Sequence, residues 1–108
     1  MTGEGILVRD CMKWKIEQVT PYVRPAKDVG EHLRLLRRKF LEEVGEVLEA
    51  EEAEEIAEEL GDLLQVIIDY ANITGVGMAA VRSHRVRKLR AKGGFDGGTV
   101  LAWKQPEE

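Results

Sequence analysis

"EAEEAEEI", residues 49–56, contains no glycine and no proline, yet it joins two apolar series that one straight helix cannot serve together. On its N-terminal side, Leu33, Leu36, Phe40, Val44 and Val47 recur at steps of three and four, the spacing of one helix face. On its C-terminal side, Ile56, Leu60, Leu63, Leu64 and Ile67 do the same, and the pattern runs on to Ile73, where "TGVG" supplies a stop. At about 100° per residue, Phe40 and Leu60 would differ by about 200° on a continuous helix, so the two series would face nearly opposite ways. A hairpin with its turn near Ala50 to Glu54 lets both face one core.

Outward from the hairpin, the helical period begins at Asp28, after a loop marked by the prolines of "TPYVRP", residues 20–25. A third helix is predicted over Met78 to Ala91, carrying Met78, Val81, Val86 and Leu89, and "KGGFDGG", residues 92–98, ends it. The short apolar stretches "GILVRD" at residues 5–10 and "TVLAW" at residues 99–103 read as strands or extended arms. The fold class is therefore all-α: a helical hairpin plus a third helix forming a bundle, with short extended terminal segments. Residues 1–108 make one domain, small enough that a bundle of this kind commonly borrows core from a second copy, so a homodimer or homotetramer is expected.

Composition narrows the function classes. The chain is 44% hydrophobic and 33% charged, as a globular domain should be, and no apolar run approaches the roughly 20 residues needed to span a bilayer. The single cysteine, Cys11, cannot form an internal disulfide, and the N-terminus has neither a signal peptide's apolar stretch nor a transit peptide's composition, so a reducing cytoplasm is expected. Trp14 and Trp103 read as core or interface residues rather than as platforms for a base. The net charge of −4 conceals a sharp segregation. Leu41 to Val81 holds twelve carboxylates and no lysine or arginine; Tyr70 to Phe95 holds six basic residues and no carboxylate. The first region should attract cations and the second anions. An acidic overall balance argues against a nucleic-acid binder.

Four of the acids sit where a solvated face does not need them. With Phe40 at zero on a helical wheel, Leu33, Leu36, Val44 and Val47 fall within about 40°, Glu43 near −60° and Glu46 near −120°, while Glu42 and Glu49 lie almost opposite. With Leu60 at zero on the second helix, Glu59 falls near −100°, between Leu63 and Val66, and Asp62 near −160°. Each pair has i, i+3 spacing and presents two carboxylates to one side. In a hairpin the pairs can share counter-charge; on one continuous helix Glu43 and Glu59 would be about 24 Å apart. Carboxylate oxygens from facing helices suit a hard cation, Mg²⁺ or Mn²⁺, better than zinc. The competing reading is that glutamate is simply a good helix former on a wet surface.

The residues also resemble a known family. "EEVGE", residues 42–46, followed after an interval by "ELGD", residues 59–62, is similar to the EExxE…ExxD pattern of the MazG-like all-α nucleotide pyrophosphohydrolases. "LVRD", "KFLEEVGEVLEA", "EELGDLLQVI" and a basic helix running into "KGGFDGG" resemble the phosphoribosyl-ATP pyrophosphohydrolase-like branch, over roughly residues 6 to 101. The resemblance implies that Glu43, Glu46, Glu59 and Asp62 hold Mg²⁺, that Glu42 or Glu43 acts on water, and that Lys39, Lys88, Lys92 and Arg9 of the Arg9–Asp10 pair meet substrate. It implies hydrolysis of a nucleoside triphosphate or related phosphoanhydride to the monophosphate and pyrophosphate, with nucleotide-pool clean-up as one role. Two positions depart from the pattern: Cys11 stands where lysine is common, and Ser83 and His84 occupy a stretch that is usually more acidic. The alternative class is a non-catalytic helical oligomer that pairs subunits through its acidic and basic faces.

Overall fold

Asp28 starts the first long helix by capping it: its Oδ1 accepts the backbone N–H of Glu31 at 2.8 Å, relieving one of the donors that a helix start leaves without a partner. The computed structural model describes residues 5–20, 22–105 and 107. Helix α1 spans Lys13–Glu17, α2 Val29–Glu49, α3 Ala53–Ile73 and α4 Met78–Lys92, and a 3-10 turn, Asp10–Met12, precedes α1. Among the described residues there is no strand. No single helix is long and apolar enough to cross a membrane.

The cap at Asp28 is half of a larger clamp. Glu31, nearly buried, takes two hydrogen bonds from the Arg24 guanidinium, at 2.7 and 3.0 Å, and one from the backbone N–H of Lys27 at 2.9 Å. Arg24 also donates to the carbonyl of Pro25 at 3.0 Å, so the loop before α2 is fastened to the helix it feeds.

The turn between the long helices occupies residues 50–52, inside the range predicted from the phase conflict. Ala50 and Glu52 are both extended, with ψ of 135° and 147°, and no non-glycine residue among those described takes positive φ, so this turn needs no glycine. The Ala50 N–H closes α2 on the Glu46 carbonyl, and the Glu55 carboxylate accepts the Glu51 N–H at 3.2 Å. The far end of α3 is different. Gly75 and Gly77 have φ near 79° and 78°, a conformation that other residues adopt only with strain, and the Gly77 N–H returns to the Ala71 carbonyl.

Helices α2 and α3 pack against each other as an antiparallel pair. Leu35, Leu36 and Glu43 are buried on α2, Val66 and Ala71 on α3. The seam is thus centred on Leu36 and Glu43, about 20° apart on the wheel, and Phe40 is displaced to its shoulder. Of the apolar series read from the sequence, Leu36 is buried and Leu33, Val44 and Val47 are half-buried, while Phe40 lies to one side. Phe40 remains 37% exposed, and beyond it Leu41 and Leu48 are open to solvent; on α3, Leu60 and Leu64 are 49% and 52% exposed. In an antiparallel pair equal rotations on the two helices lead to the same side, so these residues form one apolar face of the hairpin. The acids of both helices rotate the other way. The hairpin has an oily side and an acidic side, divided by the plane of its two axes.

Two expectations are corrected. "TVLAW" is not a strand; Val100 and Leu101 are exposed, since no sheet edge exists among the described residues to accept their backbone groups. Residues 5–9 are irregular, and the chain then turns into α1, which the sequence reading missed; five residues carry too little periodicity to register. Neither Trp14 nor Trp103 enters the core. The chain falls into two compact units, one ending at Met78 and one beginning at Ala79.

The Arg24 hydrogen bonds, then the Lys27 N–H, hold the Glu31 pKa well below its ordinary value of 4.5, at about 2. A lowered carboxylate contributes stability above its unfolded-state pKa and loses it as pH falls towards the folded-state value. Thermal melts should therefore show wild type more stable than Glu31→Gln at pH 7, with the difference closing between about pH 4.5 and about pH 2.

Candidate metal centre

Six residues before the end of α2, Glu43 enters the helix seam because its position on the wheel almost eclipses Leu36, and its side chain is nearly buried. Across the seam, Glu59 and Asp62 are one turn apart on α3, both half-buried. One carboxylate oxygen from each of Glu43, Glu59 and Asp62 lies within 4.8 Å of the others. Glu46 stands outside this trio. Its step of three from Glu43 rotates it about 60° away from the seam, and it is exposed. Its charge is still felt, as the largest of the like-charge contributions at Glu59.

Lys39 and Arg9 attend the acids. Lys39 reaches Glu42 at 3.4 Å and Glu43 at 3.8 Å, from one turn earlier on the same helix. Arg9 comes from the N-terminal arm and grips Asp62 at 2.7 Å, across 53 residues of sequence. Sequence reasoning set Arg9 beside substrate and had no means of seeing this partner, since nothing in the local pattern links residue 9 to α3. It likewise passed over the Arg24–Glu31 clamp, although the D-x-x-E spacing of Asp28 and Glu31 was a readable helix-start signal.

Desolvation raises the pKa of Glu59, and the charges of Glu46, Asp62, Glu43 and Glu58 push it the same way. The group is thus under-compensated by the chain's own cations. Oxygen-only donors from two helices, with neither histidine nor cysteine in the trio, match the coordination chemistry of a hard divalent ion. The residues present fit such an ion.

Lys88 and Lys92 lie on α4, in the second unit, about 40° apart on one side of the helix. Arg87 and Arg90 occupy another side, where with Ser83, Val86 and Ala91 they line an open groove. No face of this helix is purely apolar, and its N-terminal half carries no acid to offset the cations. Gly93, with φ of 79°, ends it by donating to the Leu89 carbonyl.

The model of the MazG nucleotide pyrophosphohydrolase domain matches residues 31–93, which include the whole acidic trio and α4. The chain belongs to the MazG nucleotide pyrophosphohydrolase family. Neither a curated protein nor a solved structure matches it. Membership implies action on nucleotide substrates, and the family generally depends on divalent metal.

Since the Glu59 pKa is raised, its ionised form works against the metal-free fold: this contribution is favourable below the unfolded-state pKa and is lost as pH rises through the higher folded-state value. Differential scanning fluorimetry without metal at neutral pH should find Glu59→Gln melting above wild type. Added Mg²⁺ should raise the melting temperature of wild type by more than that of the variant.

Proposed function

We propose that the protein is a Mg²⁺-dependent nucleoside triphosphate pyrophosphohydrolase, with Mn²⁺ as a competent substitute, that releases the monophosphate and pyrophosphate and serves nucleotide-pool clean-up. The observation that carries this reading is the convergence of Glu43, Glu59 and Asp62 from two helices within a chain of the MazG family. Glu46, on the same acidic side, is the fourth ligand of the reading. Mg²⁺ held there would supply electrophilic charge to the phosphoryl oxygens and a water of lowered pKa.

The chain's own groups then have distinct tasks. Glu43, Glu46, Glu59 and Asp62 hold the cation charge on the acidic side of the hairpin. Glu42 is exposed and can pass a proton to solvent, which suits it to act as base on the attacking water, with Glu43 contributing as ligand and orienting group. Lys39 steers both glutamates by its ion pairs at 3.4 and 3.8 Å. Arg9 and Lys39 supply positive charge that a polyphosphate needs beside so many carboxylates, and Lys88 and Lys92 of the second unit are the further substrate-binding lysines of this reading. A cytoplasmic location accords with the free, exposed thiol of Cys11.

The oily side of the hairpin supports self-association. Phe40, Leu41, Leu48, Leu60 and Leu64 would be covered by a second copy, completing a helical bundle as a homodimer or homotetramer. Light scattering coupled to size exclusion should then give a mass of two or four chains for wild type and of one for Leu64→Glu, because a charge in the middle of that face stays unpaired on burial.

Pyrophosphate release from a panel of standard, deoxy and damaged nucleoside triphosphates tests the activity. Turnover should require Mg²⁺ and stop with a chelator. Glu42→Gln should lower kcat by about 10² to 10⁴ fold, the range for a general base. Glu43→Gln should lose at least about a hundredfold together with metal affinity. Absence of pyrophosphate with every nucleotide, in a folded oligomer, would favour the non-catalytic assembly instead.

A further inference from the structure

The arm before α2 is held to the hairpin in an unusual way. Helix α1 comes close to the preceding 3-10 turn and to neither long helix, so packing of α1 does not attach the arm. Among the described residues, the arm is tied to α3 by the ion pair Arg9–Asp62, one nitrogen to one oxygen at 2.7 Å with both side chains partly in solvent. Its carboxylate is one of the three that converge on the acidic side. The guanidinium thus supplies positive charge at the spot where the reading above puts a divalent ion.

We infer that Arg9 is a built-in stand-in for the metal: it pairs with Asp62 while the carboxylates hold no divalent ion, and it gives up Asp62 when one arrives, becoming available to substrate phosphate. The inference rests on the proposed metal site and adds an order of events to it, cation first and polyphosphate second. The physical ground is a contest between charges. Asp62 attracts a doubly charged ion more strongly than a guanidinium, and the ion repels the guanidinium in turn, whereas a partly exposed single-contact ion pair is a weak tether. Glu43 and Glu59, which have no arginine of the arm on them among the described residues, bias the contest further towards the ion. The released Arg9 then offers a planar fork suited to phosphate oxygens.

Two measurements that need no turnover test this. Mn²⁺ binding, followed by the loss of the free-ion electron paramagnetic resonance signal, should be about two- to fivefold tighter in Arg9→Gln than in wild type, the range expected when an exposed ion pair no longer competes. Arg9→Lys, which keeps the charge, should stay near wild type. The chain has two tryptophans, so Trp103→Phe leaves Trp14 of α1 as the single reporter of the arm. Its fluorescence anisotropy should fall on adding Mg²⁺, and it should be low from the start and unresponsive in the Arg9→Gln background. Equal or weaker Mn²⁺ affinity in Arg9→Gln, or an anisotropy indifferent to Mg²⁺ while Mn²⁺ binds, would overturn the exchange and leave the metal site standing. No Mn²⁺ binding in either protein would overturn both.

Discussion

A carboxylate in the seam between two packed helices is an uncomfortable object. Glu43 occupies a position where the wheel calls for a leucine, and a lysine at 3.8 Å offsets part of the cost of removing its charge from water. Across the seam, Glu59 and Asp62 add to the same unfavourable field. Much else in the chain can be understood from this constraint. The seam cannot also be the main hydrophobic contact at that level, so Phe40 moves to the shoulder, and the apolar surface that would have filled the interior of a simple hairpin collects on one outer side.

The result is a division of labour between the two sides of the same pair of helices. One side offers apolar area, and the other offers converging oxygens. Antiparallel geometry makes this possible, because it sends equal rotations on α2 and α3 to the same side. The turn at residues 50–52 is consequently more than a connection. It fixes the relative phase of the helices, and with it which residues meet.

What could be read from the sequence was whatever period and phase encode. The two long helices, the turn between them and the stop at "TGVG" follow from apolar spacing, and the wheel already set Glu43, Glu46, Glu59 and Asp62 apart from the outward acids. It was blind where structure depends on contact across many residues. Arg9 meeting Asp62 leaves no trace in any local window. The same is true of the seam's centre, because hydrophobic residues alone define the stripe, and a polar residue near its axis reads as a flank. Glu46 was grouped with its i−3 neighbour, whereas the actual rotation leaves it outside the tight trio. At residues 99–103 the difference is of another kind: the apolar, partly β-branched composition suits a strand, but no edge exists among the described residues to pair with.

The clamp of Arg24 on Glu31 has a bearing on the arm that precedes it. By fastening the chain at residue 24, it makes residues 9 to 24 a tether of about fifteen residues whose far end is fixed at the start of α2. A tether that short keeps its free end near its anchor, at an effective concentration far above that of a dilute protein in solution. Arg9 can therefore leave Asp62 without being lost to bulk solvent, and finds its way back by a unimolecular return whose speed does not depend on how dilute the protein is.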